Sequence, residues 1–264
     1  MASLQKAPSS FADDIVFGLV TLVAIVSIFS YSMDFDRAFF GKVAEVLALG
    51  ILLFAAIRLQ LLDAKLGMPF GKTLLLCFSG FLVLVGFGVF AFEEIYRPLK
   101  FSTVSPADLF IGAGFVLFVV FLLKTFLPLF AAYSLRDQKQ VIALGLYLLI
   151  LSLTASFLYS KRFLFENAGF VAVFYVALTV LTLILTTGLA IYIDEGLLYM
   201  PIVLTSIAFF LISAATLQYC AKIISSGFRT GGAEDFLWIF GFLLLAVAKT
   251  IELEMLKGID AAGR

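Results

Sequence analysis

Histidine is missing from all 264 residues. That one absence removes haem ligation by imidazole, His-based metal sites and the usual general base. Charge is scarce as well: 14% of residues are Asp, Glu, Lys or Arg, against about 25% in an ordinary soluble domain. The 18 basic and 18 acidic residues cancel, which leaves no basic footprint for nucleic acid and no acidic or basic surface for steering a charged partner. The two cysteines, Cys77 and Cys220, lie nine residues past Met68 and twenty past Met200. On equivalent helices running the same way, that offset separates them by about 16 Å in depth, beyond the reach of a disulfide. They read as small apolar fillers. No cofactor and no metal site is expected.

What the chain has in abundance is apolar surface: 63% hydrophobic residues, 31 of them phenylalanine, and a mean hydropathy of +1.14. Too little polar material remains to cover a globule of this length, so lipid is the expected solvent. Eight segments approach the roughly 20 apolar residues that a helical span needs: Ile15–Ser32, Phe39–Ile57, Thr73–Phe92, Asp108–Leu129, Val141–Tyr159, Gly169–Ile193, Tyr199–Tyr219 and Phe236–Glu252. Charged or turn-forming residues punctuate every break, among them Asp34-Phe35-Asp36-Arg37, Lys161-Arg162 and Asp194-Glu195-Gly196. Long unpatterned apolar runs suit helices rather than barrel strands, because the backbone must satisfy itself inside lipid. Asp13-Asp14 precedes the first run where a signal peptide would carry positive charge. Residues 1–14 and 258–264 are expected to be solvated tails.

The second half echoes the first. Gly18-Leu19 answers to Gly145-Leu146, Tyr31-Ser32 to Tyr159-Ser160, Gly41 to Gly169, and Met68-Pro69 to Met200-Pro201. The strongest pair is Asp108-x5-Gly114-Phe115 against Asp235-x5-Gly241-Phe242, each followed by Lys-Thr at Lys124-Thr125 and Lys249-Thr250. The expected fold is therefore all-α: a polytopic membrane protein of eight transmembrane helices, built as a tandem duplication of a four-helix unit (15–135 and 136–257). A repeat with an even number of spans enters the bilayer twice in the same sense, which predicts a pseudo-two-fold axis along the membrane normal. Lys and Arg divide almost evenly between the two sides. The early loop carrying Arg58, Lys65 and Lys72 tips the orientation towards cytoplasmic termini.

Few residues could carry chemistry. Asp108 and Asp235 are either twin ligands or helix-cap acids. Ser105-Pro106-Ala107-Asp108 favours the cap, with a capping residue, a proline at the first helical position and an acid in the first turn. Lys124 lies sixteen residues past Asp108, about 24 Å along a helix, near an interface where lysine snorkels. Lys249 occupies the corresponding place, and anchoring is preferred for both over a Schiff-base role. Lys42 and Glu45 share one face near the start of a helix and are expected as a water-facing ion pair. Gly114 and Gly241 are expected at helix–helix contacts, where a missing side chain lets backbones approach. Signatures of intramembrane proteases, prenyl transferases and rhomboid-type hydrolases are lacking, so no enzyme is expected.

The segments Tyr199-Met200-Pro201-Ile202-Val203-Leu204-Thr205-Ser206-Ile207-Ala208 and Asp235-Phe236-Leu237-Trp238-Ile239-Phe240-Gly241-Phe242 resemble the multi-pass N-terminal membrane regions of prokaryotic PAS-containing histidine kinases and diguanylate cyclases. The resemblance implies a sensor in a prokaryotic plasma membrane with a membrane-protein or cytosolic signalling partner. It carries over no catalytic residues. The expected function is a non-enzymatic membrane sensor or partner-binding module. It would take an apolar or amphipathic ligand, or a second membrane protein, between its halves. The alternative is a small transporter or channel, for which the hydroxyls of Thr182, Thr186, Thr205, Ser206 and Thr216 would form a polar path.

Overall fold

The computed structural model describes residues 11–32, 37–66, 71–96, 105–132, 167–192, 199–224 and 232–262. Seven α-helices account for almost all of them: α1 (Phe11–Ser32), α2 (Arg37–Lys65), α3 (Lys72–Tyr96), α4 (Pro106–Ala132), α5 (Asn167–Tyr192), α6 (Tyr199–Ile224) and α7 (Ala233–Ala262). All seven are long and apolar enough to cross a membrane, which fits an integral membrane protein in contact with a lipid bilayer. The span expected at Val141–Tyr159, with Gly145-Leu146 and Tyr159-Ser160, lies outside the described residues, and so does Met68-Pro69.

Helix ends depart from the apolar runs. Helix α1 begins at Phe11, so Asp13 and Asp14 are first-turn residues rather than part of a solvated tail. Helix α2 continues past Ile57 to Lys65, and α7 continues through the expected C-terminal tail as far as Ala262. The cause is pairing between the extensions. Asp13 is fully buried and meets Arg58 of α2 at 2.7 Å and Lys257 of α7 at 3.0 Å. Charges satisfied by neighbouring helices let a helix run on beyond its apolar stretch.

Helices α2 to α7 pack in a closed ring, each against the next, with α7 returning to α2; α1 lies against the seam between α2 and α7. Burial follows this order. The span of α7 is 61% buried within the protein and that of α1 only 22%, which leaves Leu22, Ile25 and Phe29 on the lipid side. Inside the ring, Phe118 of α4 meets Phe209 of α6 edge-on at 5.6 Å, and Phe87 of α3 meets Phe242 of α7 at 5.8 Å. Such edge-to-face pairs add to area burial through the ring quadrupoles.

Two crossings depend on glycine. A Cβ on Gly114 of α4 would stand 2.5 Å from Val83 Cγ2 and 3.0 Å from the Ser79 carbonyl oxygen of α3. A Cβ on Gly241 of α7 would stand 2.6 Å from Ile212 Cγ1 and 3.1 Å from the Ala208 carbonyl oxygen of α6. Neither site has room for a methyl group. At the first, the Ser79 hydroxyl also donates to the Gly114 carbonyl at 2.7 Å, a bond that holds two backbones at the close range small residues permit.

Candidate functional site

The start of α4 is built from its first residues. Ser105 precedes the helix; its hydroxyl accepts the Ala107 amide at 3.0 Å, and its carbonyl accepts the Asp108 amide at 3.0 Å. The Asp108 carboxylate accepts the Ser105 amide in return at 3.0 Å. This reciprocal arrangement satisfies backbone donors that a helix start leaves open. The other carboxylate oxygen of Asp108 faces inward, where the Tyr175 hydroxyl of α5 lies 3.4 Å away. Asp108 thus belongs both to a cap and to the bundle interior.

That inward side is a cavity. Phe87 and Phe90 of α3, Asp108, Ile111 and Phe115 of α4, Tyr175 of α5, Thr216 and Tyr219 of α6, and Trp238 of α7 surround it, and it is partly open. Its free space is about 20 Å³ of positions for a water centre, room for about one water-sized group. The rings brace one another: Trp238 is 5.4 Å from both Phe87 and Tyr219, and Phe115 is 6.3 Å from Tyr175. The Trp238 indole N–H donates to Thr216 Oγ1 at 3.3 Å, which fixes its plane. Further along the same helices, Val83, Phe118, Phe209, Ile212 and Phe242 are all buried.

Beside the cavity lies an ion cluster. Lys42 Nζ of α2 donates to Glu45 Oε2 at 2.9 Å and to Asp235 Oδ1 of α7 at 3.3 Å. All three are buried, with Lys42 at 3% exposure and both acids at zero. The expected water-facing pair is therefore an interior one. The reason is the α2–α7 contact, which brings Asp235 over the same face and shuts water out. Lys42 Nζ also stands 4.9 Å from the centroid of Phe90 and 6.0 Å from that of Trp238. These two rings belong at once to the cavity wall and to the cluster. Glu45 Oε1 accepts no hydrogen bond among the described residues. Nearby, the Tyr31 hydroxyl of α1 donates to the Gly232 carbonyl ahead of α7 at 2.9 Å.

Asp235 differs from Asp108, although both stand in the first turn of a helix. Lys124 is exposed on α4, and its ammonium comes within 3.9 Å of where a Cβ on Gly71 would be. Lys249, its sequence counterpart, is 6% exposed; it pairs with Glu252 at 2.7 Å and sits 5.5 Å from the Phe121 centroid. It faces the bundle rather than lipid headgroups, because α7 is the most enclosed helix. Cys77 and Cys220 are both free, and the Cys220 thiol donates to the Ala172 carbonyl at 3.8 Å. Among the described residues no group of three or more Cys, Asp or Glu side chains is placed to hold a metal ion.

Sequence reasoning named Asp108, Asp235, Lys42 and Glu45, and the structure gathers them at one end of the bundle. It missed Tyr175, Tyr219, Phe90 and Phe115. Among 31 phenylalanines and nine tyrosines, nothing in their spacing sets these apart from core residues. Trp238 was the one available signal, as the sole tryptophan of the chain. The chain matches no family model, no curated protein and no solved structure.

Proposed function

We propose that this chain is a non-enzymatic membrane sensor that holds a small ligand in the aromatic cavity and passes its occupancy to a partner. The observation carrying this reading is a partly open cavity walled by aromatic rings. Six aromatic side chains and Asp108 line it, and Phe118, Phe209 and Phe242 are buried elsewhere along the same helices. Concave, mostly apolar sites are where small ligands bind, and the buried rings along the same helices support binding over conduction. The alternative, a small transporter or channel, draws less support from the hydroxyls it would use. The hydroxyls of Thr182, Thr205 and Thr216 donate to carbonyls one turn back in their own helices, the ordinary fate of such groups in lipid.

The tandem duplication is part of the same proposal. Its support is the matched pair of close approaches, Gly114 on Ser79 and Val83 and Gly241 on Ala208 and Ile212. The packing of α4 on α5 and of α7 on α2 is also what two related halves would share. With both termini cytoplasmic, the cavity lies at the outer face of a prokaryotic plasma membrane. A membrane or cytosolic partner would read the opposite end, as the likeness to kinase and cyclase sensor regions implies.

Purification from native membranes followed by native mass spectrometry tests the reading. A small-molecule adduct near one per chain, lost in Tyr219→Ala, is the expected result. Absence of any adduct, or solute flux in liposomes carrying the pure protein, overturns it.

A further inference from the structure

We infer that the cavity takes the slender apolar end, methyl- or ethyl-sized, of a free uncharged hydrophobic molecule and no charged or hydrogen-bonding head; the inference rests on the ligand-binding reading above. Its first support is what the wall shows to the space inside it, which is carbon throughout. Trp238 donates its indole N–H to Thr216 at 3.3 Å, and the Thr216 hydroxyl donates to the Ile212 carbonyl at 2.8 Å. The Tyr175 hydroxyl donates to the Asp108 carbonyl at 3.3 Å, and the Asp108 carboxylate accepts the Ser105 amide at 3.0 Å. A water in this space would find none of the two to four polar partners that hold one inside a protein. An ammonium or a carboxylate would lose its hydration with nothing in return. A hydrocarbon end loses no hydrogen bond and gains dispersion contacts with the rings.

The second support is that the wall is braced. Phe87 stands edge-on to Trp238 at 5.4 Å with planes 88° apart, and Phe115 edge-on to Tyr175 at 6.3 Å and 81°. Phe90 meets Tyr219 at 6.4 Å and 79°, and the bond to Thr216 fixes the indole plane. Rings held in this way cannot lean inward to fill the gap without giving up their contacts with one another. A gap that its own wall keeps from collapsing favours whatever apolar group fills it.

Size limits the group that enters. Room for about one water-sized group accepts a methyl or ethyl end and excludes a branched one, while the rest of the molecule passes out through the open side. Depth points to a free molecule rather than a lipid chain. Tyr219 is one residue from the end of its span at Cys220, and Trp238 is five past the start of its span at Ala233. Phe115, the deepest lining residue by this count, is nine past Pro106. At 1.5 Å per residue these depths run from about 2 Å to about 14 Å. Phospholipid chain ends meet near the middle of the hydrocarbon core, about 15 Å from either edge. A free molecule entering from the interface reaches the cavity without a lipid chain having to fold back.

Trp238 reports on the site directly, because it lines the cavity and no other tryptophan exists in the chain. The protein in phosphatidylcholine nanodiscs is titrated with bromoethane, whose bromine quenches indole emission. 2-Bromoethanol is the polar match and 2-bromo-2-methylpropane the branched one, all at equal concentrations within the discs. Bromine colliding from lipid shortens the emission lifetime without saturation; bromine bound in the cavity lowers intensity at constant lifetime and saturates. Bromoethane is expected to give the saturable loss. 2-Bromoethanol should require a concentration about tenfold higher or more, because its hydroxyl finds no partner. The branched probe should show collisions alone, and Ile111→Ala, which widens the wall, should give it a saturable loss. Discs whose lipids carry bromine on the terminal chain carbons separate the sources, and no static loss is expected from them.

Equal saturable loss with 2-bromoethanol overturns the apolar assignment while leaving the cavity a binding site. Static loss from the brominated lipid alone gives the space to a lipid chain and overturns the free ligand. Saturable loss with the branched probe in the unaltered protein, or its absence in folded Ile111→Ala, overturns the size limit. Collisional quenching alone with every probe overturns the inference outright, and the native mass spectrum then decides the ligand-binding reading separately. The contrast of bromoethane with 2-bromoethanol uses unaltered protein, so it stands even if Ile111→Ala fails to fold.

Discussion

Asp108 and Asp235 occupy the same place in two similar stretches of sequence, six residues before a Gly-Phe pair in the first turn of a helix. Their surroundings are opposite. Asp108 is half-buried, bound by the Ser105 amide and the Tyr175 hydroxyl, both neutral donors. Asp235 has no exposed surface and is held by Lys42, with Glu45 beside it. The neighbouring helix decides between these fates: α5 brings a phenol to one acid, and α2 brings an ammonium to the other. A local motif sets where an acid stands in its helix; the facing helix sets whether that acid is a cap or half of a buried ion pair.

Removing the ammonium should produce the largest difference between the two corners. Lys42→Met removes the ammonium shared by two buried carboxyls and is expected to cost about 3–5 kcal/mol, read as a fall in melting temperature of the purified protein. A fall no greater than that of Asp108→Asn would erase the contrast. Next in size are the two glycine crossings, where the halves agree. Gly114→Ala and Gly241→Ala should each cost about 1–3 kcal/mol by overpacking, and by similar amounts, since their contacts match to within a few tenths of an ångström. Thermal melting of the pair checks this, and a clearly unequal loss would break the resemblance between the crossings.

Asp108→Asn should cost only about 1 kcal/mol, because asparagine still caps while the Tyr175 contact changes character. Denaturant or thermal unfolding beside Asp235→Asn, which removes a partner of Lys42, sharpens the comparison directly; the latter should be the more damaging. The smallest effect concerns the duplicated lysines. Lys124→Arg should leave melting unchanged, since an exposed arginine also snorkels. Lys249→Arg must refit a planar head between Phe121 and Glu252 and should lower the melting temperature measurably. Equal behaviour of the two would mean that burial of Lys249 has no energetic consequence.

The apolar runs made seven helices legible, and Gly114 and Gly241 were legible as contact points, because both follow from a chain's dealings with lipid. Helix ends were less so. The limits of α1, α2 and α7 depend on Asp13 finding Arg58 and Lys257, and no apolar pattern records a partner 244 residues away. The candidate site suffered most. Lys42 looked solvated because its own segment says nothing of Asp235, which lies 193 residues further on. The cavity takes lining residues from five helices, so each aromatic looks like ordinary core until the ring of helices closes. What sequence offers for such a site is the list of polar residues at its rim.

The fastening of α1 has a consequence for how the molecule is made. Asp13 stands on α1, the first described helix, and its Lys257 partner lies on α7, the last described one. Asp235, on that same helix, completes the cluster begun by Lys42 and Glu45. Until α7 arrives, Asp13 lacks Lys257 and Lys42 lacks Asp235, while Arg58 and Glu45 are already at hand on α2. A chain stopped short of α7 would keep ionic groups inside the bilayer without their full complement, a costly state there. The two contacts that α7 supplies close the bundle where α1 and α2 begin: Lys257 reaches Asp13, and Asp235 reaches Lys42.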